Sequence, residues 1–204
     1  MTEKPGATQQ SWDDMYRSRE QLFSGNPNGV LVAEIVDLPP GRALDVGCGE
    51  GADALWLARR GWQVTAVDIS EVALQRAAAN DVEHSVTWSR ADLATTPPPA
   101  GAFDLVSLQY FPLLRSSGPS AVRGLLDAVA PGGTLLCGSH ALSDLELHPP
   151  EGFDPADYYQ PDDVVRLLDG AWDILINESR PRSVLAPAGT HHAHDTVLRA
   201  KRAR

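Results

Sequence analysis

The chain has 204 residues, 43% hydrophobic and 22% charged, ordinary proportions for a globular protein with one full core. Its net charge of −10 argues against a partner held mainly through phosphates, because nucleic-acid binding needs a basic face. Cys48 and Cys137 are the two cysteines, which excludes a disulfide framework or a zinc cluster built on thiolates.

Residues 1–10 are polar and read as an unstructured start without the apolar core of a signal peptide. No run approaches the ~20 apolar residues of a membrane span, so a cytoplasmic chain is expected. Ser11 is the expected N-cap of a short helix carrying Trp12, Met15, Tyr16 and Arg19, with Asp13 and Asp14 in its first turn. Residues 22–28 form a loop. Gly29 to Asp37 reads as a second helix, stopped by Pro39-Pro40.

Strands and helices then alternate. Strands fall near 42–46, 63–68, 86–91, 103–109 and 133–139, and helices near 51–60, 70–80 and 118–130. Ser70 is a natural N-cap, and Pro131-Gly132-Gly133 reads as the stop before the fifth strand. This alternation means a parallel sheet with right-handed crossovers and helices on both faces. Residues 141–160 break the pattern with Pro149, Pro150, Gly152 and Pro155 and read as an insertion above the sheet. A helix over 161–169 follows, then two strand-like runs, 172–179 and 195–200. Joined without a helix, these two should be antiparallel. The fold expected is α/β: a Rossmann-like, seven-stranded, mostly parallel sheet ending in an antiparallel hairpin. The basic tail Arg199, Lys201, Arg202 and Arg204 reads as a solvated chain end.

Chemistry concentrates at residues 42–51, Arg-Ala-Leu-Asp-Val-Gly-Cys-Gly-Glu-Gly. An apolar strand runs into glycines at alternate positions and straight on into a helix. Such a turn admits a ligand close to the backbone and points free helix N–H groups at it. With Ala52 at the third fingerprint position, a relaxed dinucleotide motif is met. Asp45 and Glu50, however, are poor company for a pyrophosphate and suit a ligand bearing positive charge.

Asp45-Val46-Gly47-Cys48-Gly49-Glu50-Gly51 resembles the first motif of class I S-adenosylmethionine-dependent methyltransferases. Asp68 at the end of the second strand and Asp92 after the third complete three acids at successive strand ends. The resemblance covers about residues 30–202. It implies S-adenosylmethionine as cofactor and S-adenosylhomocysteine as product. It also assigns roles by position. Gly47, Cys48 and Gly49 would contact the methionine part through backbone, and Asp45 its ammonium. Asp68, Ile69 and Ser70 would hold ribose and adenine, Ala91, Asp92 and Leu93 the adenine, and Gln109 would lie beside the sulfonium. Residues 1–29, with Trp12, Tyr16 and Phe23, would form a lid over the cofactor, or simply dock on residues 30–204, the cofactor-binding domain.

The acceptor is a small molecule on this reading. The layout is similar to the tellurite-resistance and thiopurine methyltransferase-like group, which favours a thiol or chalcogen nucleophile. Gln109-Tyr110-Phe111-Pro112 replaces the Asn/Asp-Pro-Pro-Tyr motif of amino-group methylation, which lowers nucleic-acid and protein acceptors. Tyr110, His140 and His192 are the candidate catalytic groups, since the loops after the fifth and sixth strands both lie on the cofactor side. His148, His191 and His194 are near in sequence, but His191 and His192 point opposite ways if extended and cannot easily share one metal; no metal is expected. Two alternatives stay open: a nicotinamide-dinucleotide oxidoreductase, and a non-catalytic cofactor-binding protein on the same fold.

Overall fold

The computed structural model describes residues 8–147, 154–183 and 192–204. A seven-stranded sheet has the order β3-β2-β1-β4-β5-β7-β6. Its strands are β1 Arg42–Val46, β2 Gln63–Asp68, β3 Val86–Arg90, β4 Phe103–Gln109, β5 Val129–His140, β6 Trp172–Pro181 and β7 His194–Arg202. Strands β1 to β5 pair in parallel, and β7 runs antiparallel to both β5 and β6. The parallel sheet and its antiparallel ending are as the sequence pattern requires. Among the described residues no helix is long and apolar enough to cross a membrane.

The strands alternate their side chains between two buried layers. Leu44, Val46, Val106 and Leu135 face one layer, closed by α5 Pro119–Ala128. Ala43, Ala66, Leu105 and Leu136 face the other, closed by α2 Gly29–Glu34 and α3 Ala52–Arg59. Strands buried on both faces read as continuous apolar runs, which is why β1 was unambiguous in sequence.

Several boundaries differ from expectation. The first helix, α1 Gln9–Arg17, is capped by Thr8, not Ser11. Ser11 occupies the third helical position and returns the bond in a capping box, which leaves Asp13 and Asp14 beyond the first turn. The helix α2 ends at Glu34 rather than Asp37, and α7 Pro161–Val165 is shorter than the expected 161–169. β5 begins at Val129, four residues early. Pro131-Gly132-Gly133 lies inside that strand, where the register with β4 shifts between Phe103 and Leu105 and Gly132 takes φ 80°. Of the insertion, α6 Leu142–Leu147 and residues 154–160 are described. Tyr158 is buried, and Tyr159 N–H donates to Leu113 O at 2.9 Å, tying this segment to the chain after β4.

Gly51 shows how tightly the turn after β1 is built. It is the N-cap of α3 with φ 85°, and a Cβ there would lie 2.6 Å from the Trp88 ring and 2.9 Å from Ala77 Cβ. The Trp88 ring is fixed by its own hydrogen bond to Asp81 Oδ2, 3.2 Å. Left-handed strain and overpacking add, so Gly51→Ala is expected to destabilise the fold by about 2–4 kcal/mol. Urea unfolding checks this; a loss below about 1 kcal/mol would mean that the turn relaxes freely.

Candidate functional site

The order of the sheet reverses between β1 and β4, and ligands of open α/β sheets sit beyond the carboxyl ends of the strands at that point. The residues there converge. Asp68 ends β2 and reaches across to the turn after β1: its Oδ2 accepts from Gly49 N at 2.8 Å, and its Oδ1 accepts from Ser70 N at 2.8 Å. Each carboxylate oxygen keeps a second lone pair, enough for a vicinal diol. Burial raises the Asp68 pKa above the usual carboxylate value, against the pull of these backbone bonds.

Asp45 lies deeper. It is 2% exposed, and its Oδ2 is buried with no hydrogen-bond partner. Burial, then the negative charges of Asp53 and Asp68, push its pKa well above the usual range. Asp53, in the first turn of α3, is itself occupied: Asn28 N and Nδ2 donate to it at 2.7 and 2.8 Å, fixing the start of α2. A buried carboxylate with an open oxygen fits a cationic ligand group. The glycines of the turn are required by the aromatic side chains packed on it. Gly49 takes φ 53°, and a Cβ there would come within 2.9 Å of the Tyr16 hydroxyl. Phe111 packs on Gly47, where a Cβ would come 2.5 Å from its ring. Together, an orphaned acid and a turn without side chains suit the ammonium and backbone of an S-adenosylmethionine methionine moiety.

The N-terminal segment closes over this turn. Tyr16 is buried, with its ring 6.1 Å from Phe23 and 6.2 Å from Trp12. Burial, then the charges of Asp68, Cys48 and Glu50, raise the Tyr16 pKa, so its hydroxyl stays neutral. Phe23 is half exposed beside Gly49. Two carboxylates hold the segment, and sequence reasoning missed both roles. Asp13 accepts from Ser70 Oγ at 2.6 Å and Val72 N at 3.2 Å, at the start of α4 Glu71–Asn80. Glu50 accepts from Leu22 N and Phe23 N, both at 3.1 Å, and from Arg76 Nη1 at 2.9 Å, while Arg76 Nη2 donates to Arg19 O at 2.8 Å. Glu50 therefore grips backbone instead of facing the ligand.

Not every predicted residue faces the crevice. Leu93 is buried in the core layer of α5. Asp92 is exposed and folds back on its own turn, its Oδ1 accepting from Ala94 N at 2.9 Å. Gln109 turns inward: its Nε2 donates to Ser107 Oγ at 3.1 Å, and its Oε1 packs against Gly138 without a hydrogen-bond partner. Cys48 is buried, and burial pushes its thiol up, followed by the charges of Asp45 and Asp68. Ile69 and Ala91 are half-buried beside Ser70 and Asp92.

Tyr110, His140 and His192 do come together. Tyr110 follows β4 with φ 55°, rare for a bulky residue and a mark of a site where the surroundings dictate backbone. Its ring centroid lies 4.6 Å from that of His140, which stacks on His192 at 4.0 Å. Burial first, then the neighbouring His192 and Arg182, pull the His140 pKa down to about 3, so this imidazole is neutral. The Tyr110 hydroxyl donates to Asp195 Oδ1 at 2.8 Å; burial and that carboxylate raise its pKa. Asp144 on α6 accepts from Ala193 N and His194 N, both at 2.7 Å, which anchors the residue after His192. Arg182, Asp195 and Asp144 carried no signal beyond being charged residues in polar stretches. His148 and His191 lie outside the described residues.

Comparison with known proteins gives the family. A family model described as a methyltransferase domain matches residues 43–133. A ubiquinone biosynthesis O-methyltransferase of Xanthomonas campestris pv. campestris is 31% identical over 202 residues, spanning 96% of this chain and 73% of that protein. Two solved structures share the fold. One, from work on the conversion of a disulfide bond into a thioacetal group during echinomycin biosynthesis, has a TM-score of 0.76 at 22% identity, over 96% of this chain and 91% of its own. The other, the N-methyltransferase NodS of Bradyrhizobium japonicum in complex with S-adenosylhomocysteine, has a TM-score of 0.65 at 18% identity, over 86% of this chain and 84% of its own. The chain belongs to the class I S-adenosylmethionine-dependent methyltransferases, with S-adenosylmethionine as its methyl donor.

Proposed function

We propose that the chain methylates a small-molecule acceptor through a thiol or related chalcogen, bound against Tyr110, His140 and His192 beneath a lid to which the described residues 8–29 of the N-terminal segment belong. The observation that carries this reading is the neutral His140 imidazole, stacked on His192 at the end of β5. When bound, the cofactor supplies an electrophilic methyl group on a positively charged sulfur. A neutral His140 ring beside that sulfur adds no positive charge of its own against the sulfonium and helps to keep water out. Neither His140 nor Tyr110 is poised as a base near neutral pH, since His140 takes a proton only near pH 3 and the Tyr110 hydroxyl is donated to Asp195. A thiol ionises near pH 8.5 without help, whereas an alcohol needs a base poised near neutral pH. The chain's part is then positioning and exclusion of water. Asp45 and Asp68 would hold the two ends of the cofactor, and Asp13 and Glu50 would hold the lid. The net charge of −10 supports a small acceptor over a nucleic acid.

A second reading, a phenolic hydroxyl acceptor, is favoured by the name of the 31%-identical relative, an O-methyltransferase. Mass-spectrometric turnover of 2-mercaptoethanol and of catechol separates the two. The thiol is expected to be methylated at least about tenfold faster, with a rate that climbs only with its own ionisation. Faster catechol turnover, or a break near pH 6 from a titrating imidazole, would favour the hydroxyl reading instead.

A further inference from the structure

We propose that Arg182 binds an anionic group, a carboxylate, on the acceptor. This rests on the reading that the acceptor lies against Tyr110 and His140. Arg182 follows β6, and its backbone N–H donates to Ala193 O at 2.9 Å, which extends the hairpin to the rim of the site. Its side chain is 19% exposed and stands 5.4 Å from the Tyr110 ring centroid. Among the described residues the nearest opposite charge is Asp195, whose Oδ1 lies 3.8 Å from Arg182 Nε, too far for a hydrogen bond. That same oxygen already accepts from the Tyr110 hydroxyl. The Nε atom is buried without a hydrogen-bond partner, and no guanidinium nitrogen of Arg182 hydrogen-bonds a described residue.

Neighbouring arginines differ at their terminal nitrogens, although the Nε of Arg199 is also buried without a partner. Arg180, two residues earlier, donates to Glu34 at 2.5 Å and to Glu178 at 3.3 Å, and Arg199 donates to both oxygens of Asp37 at 3.1 Å. A guanidinium is a planar fork of five donors built to grip a carboxylate. Partly desolvated, and with its buried Nε unpartnered, it costs stability in the free protein and recovers it when an anion arrives. The other groups around it are neutral or already engaged: the Tyr110 ring, the uncharged His140, and Asp195. A chain of net charge −10 repels anions at long range, so an anionic acceptor needs such a local cation.

The test is calorimetric titration of 3-mercaptopropionate and of its methyl ester into the full chain saturated with S-adenosylhomocysteine. The two probes share the thiol and differ at the carboxylate. Wild type is expected to bind the acid at least about tenfold more tightly than the ester. Arg182→Gln should reduce that preference to within about twofold, and Arg182→Lys should keep part of it, with S-adenosylhomocysteine affinity unchanged in both. Equal binding of acid and ester by wild type, or a preference that survives in Arg182→Gln, overturns the role of Arg182 and leaves thiol methylation standing. If wild type neither binds nor methylates either probe while holding S-adenosylhomocysteine, the thiol reading falls and this inference falls with it.

Discussion

Asp68→Ala is expected to weaken S-adenosylhomocysteine binding by at least about 100-fold. Hydrogen bonds to a charged group contribute about 1.5–3 kcal/mol each, and the carboxylate has lone pairs for two ribose hydroxyls. The variant should also melt earlier. Gly49 N–H and Ser70 N–H lose their acceptor inside the protein, at about 1–3 kcal/mol each. Removing a carboxyl whose pKa burial has raised offsets part of that cost, so the net fall in Tm is a few degrees. Asp68→Asn retains one oxygen and should fall between. Calorimetry with thermal melting reads both effects. An affinity within about threefold of wild type would remove Asp68 from the cofactor site.

Asp45→Asn should move stability and binding in opposite directions. Asp45 holds a carboxyl that the fold disfavours as an anion, with one buried oxygen unpartnered and two acids nearby. An amide has the shape of the protonated acid and carries no charge. The ligand-free variant is therefore expected to melt a few degrees higher near neutral pH, about 1 kcal/mol being worth about 2–4 °C at this length. Its affinity for S-adenosylhomocysteine should drop by about 10- to 100-fold, because the ammonium loses an ionised partner. The pH dependence follows from the same shift. A pKa raised in the folded state means that the fold holds the proton more tightly than the unfolded chain does. Stability is then full below the ordinary carboxylate pKa and falls as pH rises through the raised one. Ligand-free wild type should accordingly lose Tm as pH rises above the ordinary carboxylate range, and Asp45→Asn should show a shallower slope, not a flat one, since Asp53 is raised too. A variant that melts lower and binds unchanged would contradict the assignment.

The centre of the molecule was legible because its signals are local. The apolar run 42–46, the glycines at 47, 49 and 51 and the helix start at Ala52 switch period within ten residues. Asp45 and Asp68 could be nominated because strand ends place them at the switch point. What was not legible depends on distant partners. Asp13 and Ser70 are 57 positions apart, and Glu50 reaches back 28 to Leu22. Nothing in the pattern of either carboxylate says that it will grip a helix start or a backbone segment. Thr8 and Ser11 bond each other in one capping box, so each has the chemistry of the cap. Pro131-Gly132-Gly133 has turn composition, yet parallel pairing with β4 absorbs it as an irregularity within β5. Asp92 meets its own Ala94 N–H, as short acids in turns do. Tyr110, His140 and His192 were nominated from topology alone, and their ring-to-ring contact follows from the shared carboxyl ends of β4 and β5 and the return of the chain into β7.

The most direct measurement is a crystal structure of the protein with S-adenosylhomocysteine. The account predicts the ribose hydroxyls within about 3 Å of the Asp68 oxygens, the ammonium facing Asp45 Oδ2, and the sulfur open toward Tyr110 and His140 under residues 12–23. Density outside the turn after β1, or a ribose with no contact to Asp68, would contradict it.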